Sequence, residues 1–290
     1  MKNTKDTIRK FNIRPTKSLG QNFLNDRDVV MKIIDSGDIE KNDLIVEIGS
    51  GTGTMTEEIA GRAREVIAVE IDKHLIPSLT ENLKEVKNVT ILNEDILKID
   101  ISKMLEIYRS PADSDEKPLI VKVMANLPYY ITTPIIMKLL EDKLGINKMV
   151  FMVQKEVADR MIAKPGKKDY GALSVAVQYY SKPQKMFDVP PSCFIPQPKV
   201  DSTVIVLDVY DTPPYDIKNV KLFFRIIKAS FAQRRKTLVN ALFNSGYFIE
   251  TKPEIADILK SKGIEENQRG ETLSILQFAE VSNSFSDKNI

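Results

Sequence analysis

Val46-Glu47-Ile48-Gly49-Ser50-Gly51-Thr52-Gly53-Thr54 is the stretch on which the reading of this chain turns. A short apolar run, residues 44–48, leads into three glycines at alternate positions, which reads as a strand breaking into a tight turn. Glycine allows such a turn and lets a ligand approach the backbone closely. Thr54, with Glu57 three residues later, predicts a capping box that opens a helix, and the free N–H groups of its first turn would face the ligand. A glycine loop alone is weak evidence, because any tight turn favours glycine.

The surroundings strengthen it. Asp26 starts a helix that stops near Gly37. Downstream, residues 66–70 read as a second strand, 73–86 as a helix, 89–92 as a third strand and 119–124 as a fourth. Thr133-Pro134 opens the next helix with proline at its first position, and residues 148–153 make a fifth strand. This alternation predicts a parallel sheet with crossover helices. The rhythm then changes: residues 170–180 look helical, and 185–189 and 202–209 read as strands joined by the proline-rich loop 190–198. No long helix fits between these two, so they should pair antiparallel at one sheet edge. Asp211-Thr-Pro-Pro214 reads as a linker, and from about Asp216 onward only helical patterns remain. The expected division is residues 1–210 as an α/β domain with a basic N-terminal arm, and 211–290 as a small all-helical domain.

Glu70 ends the second strand, 21 residues after Gly49, where a carboxylate can accept hydrogen bonds from both hydroxyls of a ribose. The dinucleotide fingerprint G-x-G-x-x-G is not matched, because the third glycine, Gly53, comes one position early. Glu47, at the strand end, would repel a phosphate and suits a ligand carrying a sulfonium or ammonium charge. The combination favours S-adenosylmethionine over a nicotinamide dinucleotide. Asp95, after the third strand, can accept from the adenine amine of such a ligand or serve as a helix cap.

Asn126-Leu-Pro-Tyr129 follows the fourth strand, at the carboxyl edge of the sheet where open α/β folds bind ligands. In isolation it is a turn; after the glycine loop, Glu70 and Asp95 it gains a chemical reading. The exocyclic amine of adenine is a poor nucleophile because its lone pair is delocalised into the ring. Two acceptors, the Asn126 amide oxygen and the Leu127 carbonyl, can draw the nitrogen toward tetrahedral geometry. Pro128 carries no N–H to compete, and Tyr129 can stack on the base. Placement rather than a strong general base carries such catalysis. Phe194, in a stiff proline-rich loop, is the candidate for the other side of the base, with a core position as its alternative. A base must leave its stack to be modified, and RNA presents such bases from loops and ends.

Composition narrows the field. The chain has 290 residues, one cysteine and one histidine, which argues against multi-cysteine zinc sites and most histidine-based hydrolases; no metal is expected. Cys193 reads as a structural thiol rather than a nucleophile, and His74 as a surface residue. No apolar run of membrane-spanning length and no signal-peptide pattern is present, so a cytoplasmic enzyme is expected, although charge alone leaves a transit peptide open. Net charge is only +2, but it is uneven. Residues 1–17 hold six basic side chains and one acidic one, and 221–236 hold Lys221, Arg225, Lys228, Arg234, Arg235 and Lys236 with no acid. Such patches can attract phosphates or be ordinary solvated surface.

Lys17-Ser-Leu-Gly-Gln-Asn-Phe-Leu24, Glu47-Ile-Gly-Ser-Gly-Thr-Gly53, Asn126-Leu-Pro-Tyr129, Phe194-Ile-Pro-Gln-Pro-Lys-Val-Asp-Ser202 and Phe231-Ala-Gln-Arg-Arg-Lys236 stand in this order over essentially the whole chain. Together they resemble the KsgA/Dim-type rRNA adenine N6,N6-dimethyltransferases. The fourth stretch favours this branch over the related erythromycin-resistance (Erm) methyltransferases of large-subunit rRNA. The resemblance implies a Rossmann-like class I methyltransferase sheet with an antiparallel edge strand and a helical C-terminal domain that contacts rRNA. It implies transfer of four methyls to two adjacent adenosines near the 3′ end of small-subunit rRNA, within an immature 30S-type particle, by an enzyme expected to be monomeric. S-adenosylmethionine is the implied cofactor and S-adenosylhomocysteine its product. The implied ligand positions fall on Asn22, Leu24, Gly49, Gly51, Glu70, Asp95 and Asn126; Asn22 replaces a histidine of many relatives. Arg234, Arg235 and Lys236 become RNA-binding candidates. Residues 109–117 are long and polar and receive no role. Rival readings are an Erm-type enzyme, a DNA adenine methyltransferase and an assembly checkpoint that binds the immature subunit.

Overall fold

The computed structural model describes residues 4–108 and 119–288; the polar segment 109–117 lies outside them. The chain starts with helix α1 (Thr4–Lys10), the two-residue strand β1 (Phe23–Leu24) and helix α2 (Arg27–Asp35). It then alternates: β2 (Asp43–Ile48), α3 (Thr54–Ala60), β3 (Glu65–Val69), α4 (Ile76–Leu83), β4 (Val89–Leu92), α5 (Ile101–Glu106), β5 (Ile120–Asn126), α6 (Thr132–Glu141), β6 (Ile146–Gln154) and α7 (Lys155–Ile162). Helix α8 (Ala172–Tyr180) is followed by β7 (Ser181–Val189), β8 (Phe194–Ile195) and β9 (Ser202–Val209), and then by α9 (Val220–Ala232), α10 (Leu238–Phe243), α11 (Lys252–Ser261) and α12 (Ile275–Lys288).

Among the described residues, seven strands form one sheet in the order β4-β3-β2-β5-β6-β9-β7. β2 pairs parallel with β3 and β5, and β5 pairs parallel with β6. β9 returns antiparallel to β6, with β7 beyond it at the edge. This is the expected α/β sheet with antiparallel strands at one side. The central strands β2 and β5 are buried along almost their whole length, as strands covered by helices on both faces must be. β2 buries two acids. Asp43 is paired with Lys122 at 2.7 Å, and Glu47 lies near the strand's carboxyl end. The order of strands about β2 and β5 makes their carboxyl ends a switch point, where such sheets open a crevice.

Several local expectations are corrected. Thr54 is not the cap of α3: Gly53 takes that place in the left-handed region, with no side-chain cap bond. The Thr54 hydroxyl instead meets those of Thr52 and Thr4, each at 3.1 Å. Pro134 is the third residue of α6 rather than its first, a position whose N–H also lacks an intrahelical partner. The proline-rich loop is not strand-free: β8 pairs antiparallel with β1, Phe194 opposite Leu24 and Ile195 opposite Phe23. Asp26 does start α2, its carboxylate accepting from Val29 N at 3.1 Å.

The chain divides into two compact units. The first takes the residues up to Ala158 together with Lys182–Asp211. The second takes Asp159–Ser181 and the residues from Thr212 onward. The second is helical and has its own core, with Tyr170, Tyr179, Phe223, Phe278 and Phe285 among the buried residues. Asn219 caps its helix α9, accepting from Leu222 N. One face of α9 buries Phe223, Ile226 and Ile227, while Lys221, Arg225 and Lys228 are exposed, the division expected of an amphipathic surface helix. No helix among the described residues is long and apolar enough to cross a membrane.

Candidate active site

A cavity opens at the carboxyl ends of the parallel strands in the first unit. It encloses about 880 Å³ of empty space, its solvent-open mouth included. Gly49, Gly51, Glu70, Leu75, Asn126 and Tyr129 are among its lining residues. Gly51 has a φ of +58°, which a side-chain-bearing residue rarely adopts. That conformation brings its N–H to Glu70 Oε2 at 2.8 Å. Glu70 stands one residue beyond β3, and its Oε1 accepts from Asp72 N, also at 2.8 Å. Burial pushes the Glu70 carboxyl up, while hydrogen bonds from Asp72, Gly51 and Ile71 pull it down and the Asp72 charge adds to the rise.

Glu47 lines the same cavity and is fully buried on β2. Burial pushes its carboxyl up to about 7, against the opposing hydrogen bond that Thr56 Oγ1 donates. A buried acid of this kind strengthens the site's affinity for a cation, since a nearby positive charge favours its ionised form.

The N-terminal segment builds the opposite wall. Leu19, Gly20, Gln21, Asn22, Phe23 and Leu24 all line the cavity. Asn22 turns its own amide back to the Gly20 carbonyl at 3.1 Å, and its main-chain oxygen accepts from Asn126 Nδ2 at 3.0 Å. The Leu24 carbonyl accepts from Thr4 Oγ1 at 2.9 Å, which ties α1 to this wall. At the end of β5, Leu127 N donates to Met152 O. Among the described residues, none donates to Asn126 Oδ1 or to the Leu127 carbonyl. Tyr129 shares a 2.8 Å hydroxyl–hydroxyl bond with Ser202, and burial raises its phenol.

The structure therefore brings Asn22, Leu24, Gly49, Gly51, Glu70, Asn126, Leu127, Pro128 and Tyr129 around one space. Two expected members stand apart. Asp95 is absent from the lining; its Oδ1 accepts from Leu97 N at 3.0 Å, which closes a local turn. Phe194 takes the core position that is the alternative to its role as a base clamp. It is 2% exposed and clusters with buried residues that include Val30, Ile33 and Val204, because the β1–β8 pairing holds its loop against the N-terminal segment. Cys193 is buried, and its thiol is raised chiefly by burial and then by the Asp26 charge, so it is not poised as a thiolate. The His74 ring is 79% exposed, as a surface residue should be, and lies 3.0 Å from Asp72 Oδ1.

In the helical unit, Arg234 Nη2 donates to the carbonyls of Lys168 at 2.7 Å and Tyr170 at 2.9 Å and pairs with Glu271 at 3.4 Å. Arg235 and Lys236 are exposed. Sequence reasoning missed two residues that support the cavity. Ser202 closes the fourth quoted stretch, but nothing local shows that it meets Tyr129. Asp72 binds partners distant in sequence and carries no local signature beyond being an acid two residues past Glu70.

A family profile described as "Ribosomal RNA adenine dimethylase" matches residues 12–287. A protein of Alkaliphilus oremlandii called "Ribosomal RNA small subunit methyltransferase A" is 50% identical over 99% of this chain and 97% of its own length. The crystal structure of a dimethyladenosine transferase from Plasmodium falciparum is 25% identical, with a TM-score of 0.75 over 92% of this chain and 98% of that one. The structure of the 23S rRNA methyltransferase ErmE, at 22% identity and a TM-score of 0.66, covers 91% of this chain and all of its own, and shares the fold.

Proposed function

The chain belongs to the ribosomal RNA adenine dimethylase family, and from that premise we infer that it transfers methyl groups from S-adenosylmethionine to N6 of two adjacent adenosines near the 3′ end of small-subunit (16S) rRNA. Each base becomes N6,N6-dimethyladenosine. The observation that carries the reading is the convergence of a ribose-type acid, Glu70, and the Asn126–Tyr129 turn on a single cavity.

The residues present fit the cofactor. Glu70 would accept from the ribose hydroxyls, Gly49 and Gly51 leave room for close backbone approach, Leu75 supplies apolar surface and Glu47 supplies negative charge. Asn22 and Leu24 hold the opposite wall. S-adenosylmethionine supplies an electrophilic methyl group on a sulfonium sulfur. The chain's own part is to orient the adenine. Asn126 Oδ1 and the Leu127 carbonyl accept its two N6 hydrogens, Pro128 offers no competing donor, and Tyr129 gives the base a face to stack on. Taking both N–H bonds localises the nitrogen lone pair and makes it nucleophilic. After transfer the amine is acidic and loses its proton to solvent, so no dedicated base is required. The second methylation keeps one N–H for one acceptor. Phe194 would serve as a clamp only by leaving the core, and Asp95 would reach the adenine of the cofactor only by giving up its turn.

The substrate in this reading is rRNA within an immature 30S-type particle, approached by a cytoplasmic monomer. Incubation of unmethylated small subunits with the enzyme and labelled cofactor, followed by nucleoside mass spectrometry, should give labelled N6,N6-dimethyladenosine from 16S rRNA. Label found only in large-subunit rRNA would favour the Erm reading, and label found only in duplex DNA would favour the DNA-methyltransferase reading.

A further inference from the structure

Asp72 is a buried acid that does not line the cavity, yet it is bonded to both of the cavity's walls. It is 5% exposed. Its Oδ2 accepts from Gln21 Nε2 at 2.8 Å and from Thr16 Oγ1 at 3.2 Å. Its Oδ1 accepts from His74 N at 3.0 Å and faces His74 Nδ1 at the same distance. Its own N–H donates to Glu70 Oε1 at 2.8 Å. Gln21 closes the other side of the link, because its Oε1 accepts from Thr16 N at 2.8 Å. One glutamine side chain thus staples residues 16–21 into a loop and fastens that loop to the acid beside Glu70. The next residue, Asn22, holds Asn126 through its carbonyl.

We propose that the Gln21–Asp72 pair is a positioning clamp that sets the N-terminal wall of the cavity in register with Glu70 on one side and Asn126 on the other. The argument is geometric. Residues 16–24 contain no helix longer than the single 3-10 turn Lys17–Leu19, and their only strand is two residues long. Regular structure therefore does little to fix this wall, and side-chain bonds must hold it. A buried carboxylate that accepts several hydrogen bonds is a strong anchor, since charge-assisted bonds are roughly twice as strong as neutral ones. Burial alone would push the Asp72 carboxyl up, but hydrogen bonds from the His74 backbone, Gln21, the His74 ring and Thr16 outweigh it and hold it below the usual carboxylate range. The donors are thus matched to an ionised acceptor.

The inference rests on the reading of the cavity as a cofactor and adenine site, and the test separates the two. Gln21→Glu sets two carboxylates against each other at nearly unchanged volume. Asp72→Asn turns an amide donor toward the Gln21 amide. The double variant restores the bond in the opposite direction, with the amide introduced at position 72 donating to the carboxylate introduced at position 21; Thr16 N still has an acceptor and the total charge equals that of the natural chain. Binding of S-adenosylhomocysteine by calorimetry, and KM for S-adenosylmethionine and kcat on small subunits, are measured for all four proteins, with thermal unfolding as a check on folding. Each single change should weaken binding and raise KM by about tenfold or more, the loss of one charge-assisted bond. The double change should return both to within about threefold of the natural protein, because coupled neighbours depart from additivity. Equal binding by natural and single variants, or a double variant as impaired as the two singles combined, would overturn the clamp. Failure of the natural protein to bind S-adenosylhomocysteine would overturn the reading of the cavity, and the clamp with it. Thr16→Val, a milder change, should give an intermediate loss if the singles fold poorly, and an unchanged affinity there would count against the clamp.

Discussion

Asn126 is held in place by Asn22, whose carbonyl oxygen accepts from Asn126 Nδ2 at 3.0 Å. Because the amide is planar, engaging the nitrogen fixes where Oδ1 points and leaves that oxygen as an acceptor. The amide proposed to hold the adenine is thus oriented by a residue far away in sequence, on the opposite wall of the cavity. Asn126→Ala should lower kcat by about 10²–10³, the usual loss for a preorganised polar group at the reacting centre, while small-subunit binding stays within a few-fold. Asn126→Asp should fare little better, because its carboxylate oxygen would oppose the Asn22 carbonyl. Single-turnover methylation together with particle binding by filtration checks both. Retained transfer in the alanine variant would remove Asn126 from the chemistry.

Glu47 should make cofactor binding depend on pH. Its carboxyl is raised to about 7 from an ordinary 4.5. The protonated form therefore favours folding. That contribution is complete below the unfolded value and is lost as pH rises through the folded one, at about 1.4 kcal/mol per unit between them. A bound sulfonium acts in the opposite sense, because it is attracted by the ionised form. Affinity for S-adenosylmethionine should rise between about pH 6 and 8, whereas affinity for the uncharged thioether of S-adenosylhomocysteine should change less. Glu47→Gln, which can keep the Thr56 contact, should flatten the difference. Calorimetric titrations of both ligands across that range supply the check, and parallel pH profiles for the two would show that Glu47 does not sense the sulfur's charge.

Gly53 should tolerate no side chain. Its φ is +81°, and a Cβ added there would lie 2.8 Å from Leu79 Cδ1. Left-handed backbone costs other residues about 1–2 kcal/mol, and crowding a packed core adds about 1–3 kcal/mol. Gly53→Ala should then lower Tm by several degrees, at roughly 2–4 °C per kcal/mol for a unit of this size. Scanning calorimetry would show it, and an unchanged Tm would mean that the α3–α4 packing yields easily.

The parts of the molecule legible in the sequence are those whose cause is local. The glycine loop, the acid just past β3 and the turn after β5 each announce themselves within a few residues, and their order along the chain suffices to place them at one sheet edge. Phe194 is harder. Its environment is made by the β1–β8 ladder, whose two halves come from opposite ends of the first unit, and no local pattern shows that a proline-rich loop will pair with Phe23 and Leu24. Thr54 carries a capping-box signature, yet Gly53 starts the helix because only glycine enters the left-handed region there without strain. The bonds from Asp72 to Gln21 and from Tyr129 to Ser202 escape sequence reading for the same reason: they are tertiary facts between residues that look ordinary alone.

The basic run after α9 divides into structural and available charge. Arg234 satisfies the carbonyls of Lys168 and Tyr170 and pairs with Glu271, so its guanidinium is already committed to holding the helical unit together. Arg235 and Lys236 are exposed and have no ion pair among the described residues. A cation in contact with a phosphate releases condensed counterions, and its removal should reduce the slope of log K against log salt by about 0.7–0.9 per contact. Replacing Arg235 and Lys236 with glutamine should therefore lessen that slope by between one and two such increments while leaving Tm unchanged. Arg234→Gln should instead lower Tm, because it strips the Lys168 carbonyl and the part-buried Tyr170 carbonyl of their donor. Small-subunit binding measured from low to moderate salt, beside unfolding curves for each variant, distinguishes the two. A slope unaffected by loss of Arg235 and Lys236 would make them solvated surface and would move the RNA contact to the exposed Lys221, Arg225 and Lys228 face of α9.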